Sequence, residues 1–119
     1  MNDYTQTPYN LEVQTARGVL YLHTLDGRTL LRICRIPASS LETLPHIATI
    51  DLATTLPGRG LTRTRTITKS PVFLNLGPSD LLVESEAGEI LLEVTSVPKR
   101  QINSLQREEF TDITIGHTT

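Results

Sequence analysis

Tryptophan is absent from this chain, and other aromatics are few: two Phe and three Tyr in 119 residues. The core must therefore be assembled from Leu, Ile and Val. Few ring faces remain for stacking bases or sugars. Cysteine occurs once, at Cys34. A single Cys excludes an intrachain disulfide and a cysteine-rich zinc site. It also fits a reducing compartment, and we read the protein as cytoplasmic. No apolar run approaches the roughly 18 residues of a membrane span. The opening MNDYTQTPYN has neither the basic nor the apolar region of a secretory leader. Lysine is scarce, two against nine Arg, and the net charge is −2. That balance excludes a generally basic nucleic-acid binder but leaves room for a local patch.

What remains is β-forming sequence. Short runs of Thr, Val, Ile and Leu are broken by Gly, Pro, Asp or Asn. Residues 1–8 read as a flexible segment, and residues 9–119 as one β-rich domain large enough to bury a core without staples. In VLYLHTLDGRTLLRICRI, residues 19–36, Asp26-Gly27 reads as a two-residue turn that tolerates positive φ. That turn sets Leu22 opposite Leu31, Leu20 opposite Ile33 and Leu25 opposite Arg28. It leaves a mixed second face of Tyr21 with Arg32 and His23 with Leu30. A second hairpin spans residues 81–94, turning at Ala87-Gly88. It sets Val83 opposite Leu92 and Leu81 opposite Val94, with Glu84, Glu86, Glu89 and Glu93 on the outer face. In that register Glu86 and Glu89 face each other unfavourably, which suggests a wider loop.

Further strands are expected at 9–13, 47–54, 62–68, 72–76 and 110–115. A capping box at Ser39–Glu42 opens one short helix. Residues 98–109 form a second, with Ile102 and Leu105 inward. No internal repeat is visible. Seven to nine short strands with one or two short helices make a mainly β fold, a β-sandwich or a small β-barrel.

The most distinctive stretch is LTRTRTITK, residues 61–69. Arg59, Arg63, Arg65 and Lys69 form a basic block with no acid between Leu52 and Ser79. One reading is a solvated edge strand whose charges deter aggregation. A variant pairs it with the acidic hairpin. Another is an anion-binding strand that engages phosphates or a partner's carboxylates, helped by close backbone approach at Gly58-Arg59-Gly60. No catalytic motif accompanies it. His23, His46 and His117 share no ligand spacing, Cys34 is a strand residue flanked by Arg32 and Arg35, and no phosphate loop or nucleophile elbow is present. Asp51, within an apolar strand, needs a partner, for which an Arg is the expectation. The signature motifs of cold-shock and OB domains, PilZ barrels, swapped-hairpin transcription factors and chorismate-lyase-like folds are all missing. No metal or cofactor is expected.

These features point to a non-enzymatic interaction or assembly module. It would use a basic strip at 59–69 and an acidic strip at 80–93, with a protein partner or a second copy of itself, and a homodimer is expected where a strand edge is open. The alternative is a nucleic-acid-binding or regulatory protein that uses the basic strand.

Overall fold

In β2 (Val19–Thr24), Leu20 and Leu22 point inward while Tyr21 and His23 point outward, as the period-2 pattern requires. The same alternation organises the rest of the computed structural model, which describes residues 7–42, 48–58 and 66–116. Its elements are β1 (Pro8–Gln14), β2, β3 (Thr29–Cys34), α1 (Ala38–Glu42), β4 (Ala48–Asp51), β5 (Thr66–Leu76), β6 (Leu81–Ser85), β7 (Ile90–Thr95), α2 (Lys99–Gln106) and β8 (Thr111–Thr114). The fold is mainly β with two short helices, as expected, and the eight strands belong to one sheet ordered β4-β7-β6-β5-β1-β2-β3-β8. No helix among the described residues is long and apolar enough to cross a membrane.

The chain is built as two copies of one β-β-β-α-β unit. Residues in the two hairpins correspond at a spacing of sixty-one, as from Gly27 to Gly88 or from Pro37 to Pro98. Leu20–Ile33 pairing recurs as Leu81–Val94, and Leu22–Leu31 as Val83–Leu92. The left-handed residues Arg35 and Ser96 correspond, with φ of 63° and 60°. So do the bonds from Ile36 N to Gly18 O and from Val97 N to Ser79 O, at 2.9 and 2.8 Å. The expectation of no internal repeat is therefore overturned. The identities that survive are mostly apolar and turn residues, while the outward positions have diverged.

The two units exchange their last strands. β4 lies parallel to β7 of the second unit, and β8 parallel to β3 of the first. The centre is the antiparallel pair β1–β5. Every buried hydrophobic side chain except Val19 belongs to one cluster, to which all eight strands and both helices contribute. Each fully buried aliphatic there contributes about 1.5–3 kcal/mol.

Two expected strands, at 62–68 and 72–76, meet as the single strand β5 from Thr66 onward, and residues 62–65 lie outside the described residues. Pro71 is tolerated within it because the β1–β5 register shifts between Tyr9 and Leu11, beside Ser70-Pro71, where no ladder N–H is required. α1 begins at Ala38, so Ser39 is inside the helix and does not cap it. α2 buries Ile102 and Leu105, as its spacing predicts.

Both hairpin turns are wider than two residues. Thr24 N donates to Arg28 O (2.7 Å) and Gly27 N to Thr24 O (2.9 Å), leaving Leu25–Gly27 as a three-residue loop. Ser85, Glu89 and Gly88 repeat this pattern at 2.8 and 3.0 Å. Leu25 therefore does not face Arg28, and Glu86 does not face Glu89. The register shift places Leu30 and Leu31, and likewise Leu91 and Leu92, in the core side by side. Gly27 and Gly88 have φ of 95° and 88°, with nothing within 4 Å of an added Cβ. Gly27→Ala and Gly88→Ala should each lower stability by about 1 kcal/mol, from backbone strain alone. Urea denaturation should give the two variants equal losses.

Candidate functional site

The sequence-predicted acidic residues gather on the outer face of β6 and β7. Glu84 and Glu93 are half-buried in the strands, whereas Glu86 and Glu89 are exposed at the turn. Between and beside them lie half-buried apolar side chains: Leu82, Ile90 and, on β5, Phe73. Glu84 sits opposite both Phe73 and Ile90, and Leu82 sits opposite Glu93. Asn75 donates to the Glu84 carboxylate. The result is apolar surface framed by carboxylates, a composition suited to an amphipathic, positively charged counterpart.

The basic strip is only partly placed. Arg59, Arg63 and Arg65 lie outside the described residues. Lys69 is on β5, paired with Leu11 of β1; its side chain is outside the described set. Gly58 has a structural task rather than an exposed one. Its N–H donates to Arg35 O (2.9 Å), and a Cβ there would lie 2.2 Å from Pro37 Cα.

The outer face of the first hairpin holds a polar network that pattern reading missed. The wider turn shifts Thr29, not Leu30, opposite His23. His23 Nδ1 is 3.0 Å from Thr29 Oγ1, and Nε2 is 2.8 Å from Glu12 Oε1. A carboxylate only accepts, so Nε2 donates to Glu12, and the Thr29 hydroxyl lies within hydrogen-bond distance of Nδ1. Gln14 Nε2 donates to the other Glu12 oxygen at 2.8 Å. Tyr21 stacks on His23, with ring centroids 5.5 Å apart. The hydroxyl–imidazole–carboxylate order resembles that of a nucleophilic triad. A cavity of about 190 Å³ lies elsewhere, lined by residues that include Leu52, Pro98, Gln101 and Asp112. The network links β1, β2 and β3. A signal for it existed in the sequence: Thr24 and Ser85 stand at equivalent places before each turn, and both hydroxyls accept from the turn's closing N–H.

Further along this face, Arg32 grips Asp112 through Nε (3.2 Å) and Nη2 (2.5 Å), with Phe110 beneath its guanidinium. This pair joins β3 to β8. Cys34 lies beside it. Burial, and then the Asp112 charge, push its thiol pKa up, against the lowering by Arg32. Asp51 finds no Arg. The Ser96 side chain and Ala53 N–H, the latter at 3.0 Å, hold its carboxyl below the usual range. His46 and His117 lie outside the described residues.

No protein-family model matches the chain, and neither the curated proteins nor the solved structures contain a match.

The Gln14 amide, and next His23, hold the Glu12 pKa below its ordinary 4.5. A depressed carboxylate pKa stabilises the fold above the unfolded value, and the benefit is lost as pH falls through the folded one. Glu12→Gln should therefore cost about 1 kcal/mol at neutral pH. In thermal melts the difference from the parent should vanish as pH drops below 4.5. Cys34 should react slowly with a thiol reagent at pH 8. Asp112→Asn should speed that reaction without unfolding the protein, as read by stopped-flow absorbance and circular dichroism.

Proposed function

We infer that this protein is a non-enzymatic interaction or assembly module, and that it docks a basic partner on the outer face of β6 and β7. One observation carries this reading: Leu82, Ile90 and Phe73 lie half-buried beside Glu84 and Glu93 on the outer face of β6 and β7, with Glu86 and Glu89 exposed at the turn. Exposed like charges contribute little to stability and repel one another. Apolar side chains among them lose water when a partner covers them, and the carboxylates select partners of positive charge and accelerate their encounter. The basic strip of Arg59, Arg63, Arg65 and Lys69 is the chain's own segment of matching sign. The partner is thus a protein segment of that chemistry, met in the cytoplasm.

Glu86→Gln combined with Glu89→Gln should weaken binding of a fluorescein-labelled oligoarginine peptide about tenfold, a loss of about 1.4 kcal/mol. Fluorescence anisotropy at low ionic strength measures it. The melting temperature should stay unchanged, since both side chains are exposed at a turn. Unchanged affinity in the double variant would refute the acidic face as the docking surface.

A further inference from the structure

We propose that the partner of the acidic hairpin is the first hairpin of a second copy of this chain, joined head to tail. The proposal rests on the reading above and names its partner. Its basis is an inversion of charge between related positions of the two units. At the sixty-one-residue spacing, Arg28 corresponds to Glu89, Arg32 to Glu93 and His23 to Glu84. Two arginines of the first hairpin, Arg28 and Arg32, are thus matched by acids in the second, whereas Arg35 corresponds to Ser96.

Part of that charge is already used within the chain. Arg32 is held by Asp112, and His23 by Glu12. The rest is not. Arg17, Arg28 and Arg35 are exposed and make no salt bridge among the described residues. Arg17 bonds the Gln14 amide at 3.0 Å and Arg28 bonds the Glu108 carbonyl at 3.2 Å; the Asp26 carboxylate lies near Arg28 but is not closed into a salt bridge with it. In the second hairpin, Glu86 and Glu89 are exposed and likewise without a salt bridge among the described residues. Unspent cations surround one hairpin, and unspent carboxylates the other.

Apolar surface accompanies both. Leu25, 62% exposed, tips the first hairpin, and Phe110, 53% exposed, lies in the segment that Arg28 anchors. Leu82, Ile90 and Phe73 lie half-buried on the second. The two hairpins sit on opposite flanks of β1–β5 in the strand order, and both present the outer side of the same sheet. A hairpin therefore meets its complement on another molecule. Strand addition at the sheet edge is a poorer route at β8, where the Gln101 side chain already donates to Asp112 O (3.1 Å). Contact between unlike faces leaves one face of each sign open on every complex, so association continues into a ring or a chain.

Charge-swapped variants test this. One carries Glu86→Arg and Glu89→Arg; the other carries Arg28→Glu and Arg35→Glu, which leaves the Arg32–Asp112 bridge intact. Light scattering after size-exclusion chromatography should show the parent's mass rising with concentration at low ionic strength and falling to the monomer at high ionic strength. Each variant alone should remain monomeric with the parent's melting temperature. Mixed in equal amounts, the two should associate again, because one now presents two basic faces and the other two acidic ones. A parent that is monomeric throughout, association that survives either swap, or a mixture that fails to associate would each overturn the proposal. Oligoarginine binding separates the two readings. If the parent is monomeric but binds the peptide, the docking face stands and only the second copy is wrong; if it does neither, both fall.

Discussion

The exchange of terminal strands is the constraint on which the rest of this molecule depends. β4 is completed only by β7, and β8 only by β3. α1 connects β3 to β4 and α2 connects β7 to β8, so each helix lies in the connection that carries a last strand across to the other unit. Neither unit holds a closed core of its own. Ile113 enters the sheet beside Ile33, and Ile50 beside Val94. The single hydrophobic cluster follows from that exchange, as does the continuous outer face on which both hairpins lie.

The turns set a second constraint. A three-residue loop with its last position left-handed shifts the pairing by one, and adjacent leucines then both reach the core. The outward positions are consequently reassigned in both units, with different chemical results. In the first, Thr29 arrives beside His23 and completes a satisfied chain with Glu12. In the second, Ile90 arrives beside Glu84, so apolar surface and carboxylate share one face. One backbone device therefore yields a polar network on one side and mixed apolar and acidic surface on the other.

The distribution of charge extends the contrast. Ion pairs that link separate elements, such as Arg32 with Asp112, are placed where β8 must be held against β3. The exposed carboxylates of the second hairpin join no elements together. Exposed charges of this kind stabilise folded chains only weakly.

Much of the architecture was legible in the residues themselves. Alternation at Leu20, Leu22, Leu31 and Ile33 predicts the inner row of the first hairpin, and Val83 with Leu92 that of the second. Ile102 and Leu105 mark the buried side of α2. These are local effects, in which a period of two or of three to four selects which side chains leave water. The His23 network was hidden by the Asp-Gly signal, which a two-residue and a three-residue turn share; the hydroxyl of Thr24 before the turn was the mark of the wider one. The repeat escaped notice because burial preserves only the inward identities, while the outward ones diverge. By itself the sequence determined a strand-rich chain with an aliphatic core, two hairpins and separated charge, since each of those depends on neighbours along the chain. Only the tertiary structure decided that the units exchange strands, that Asp112 meets Arg32 from eighty residues away, and that the two hairpins carry opposed charge at related positions. Those are relations between distant segments, and packing around a shared core is what brings them together.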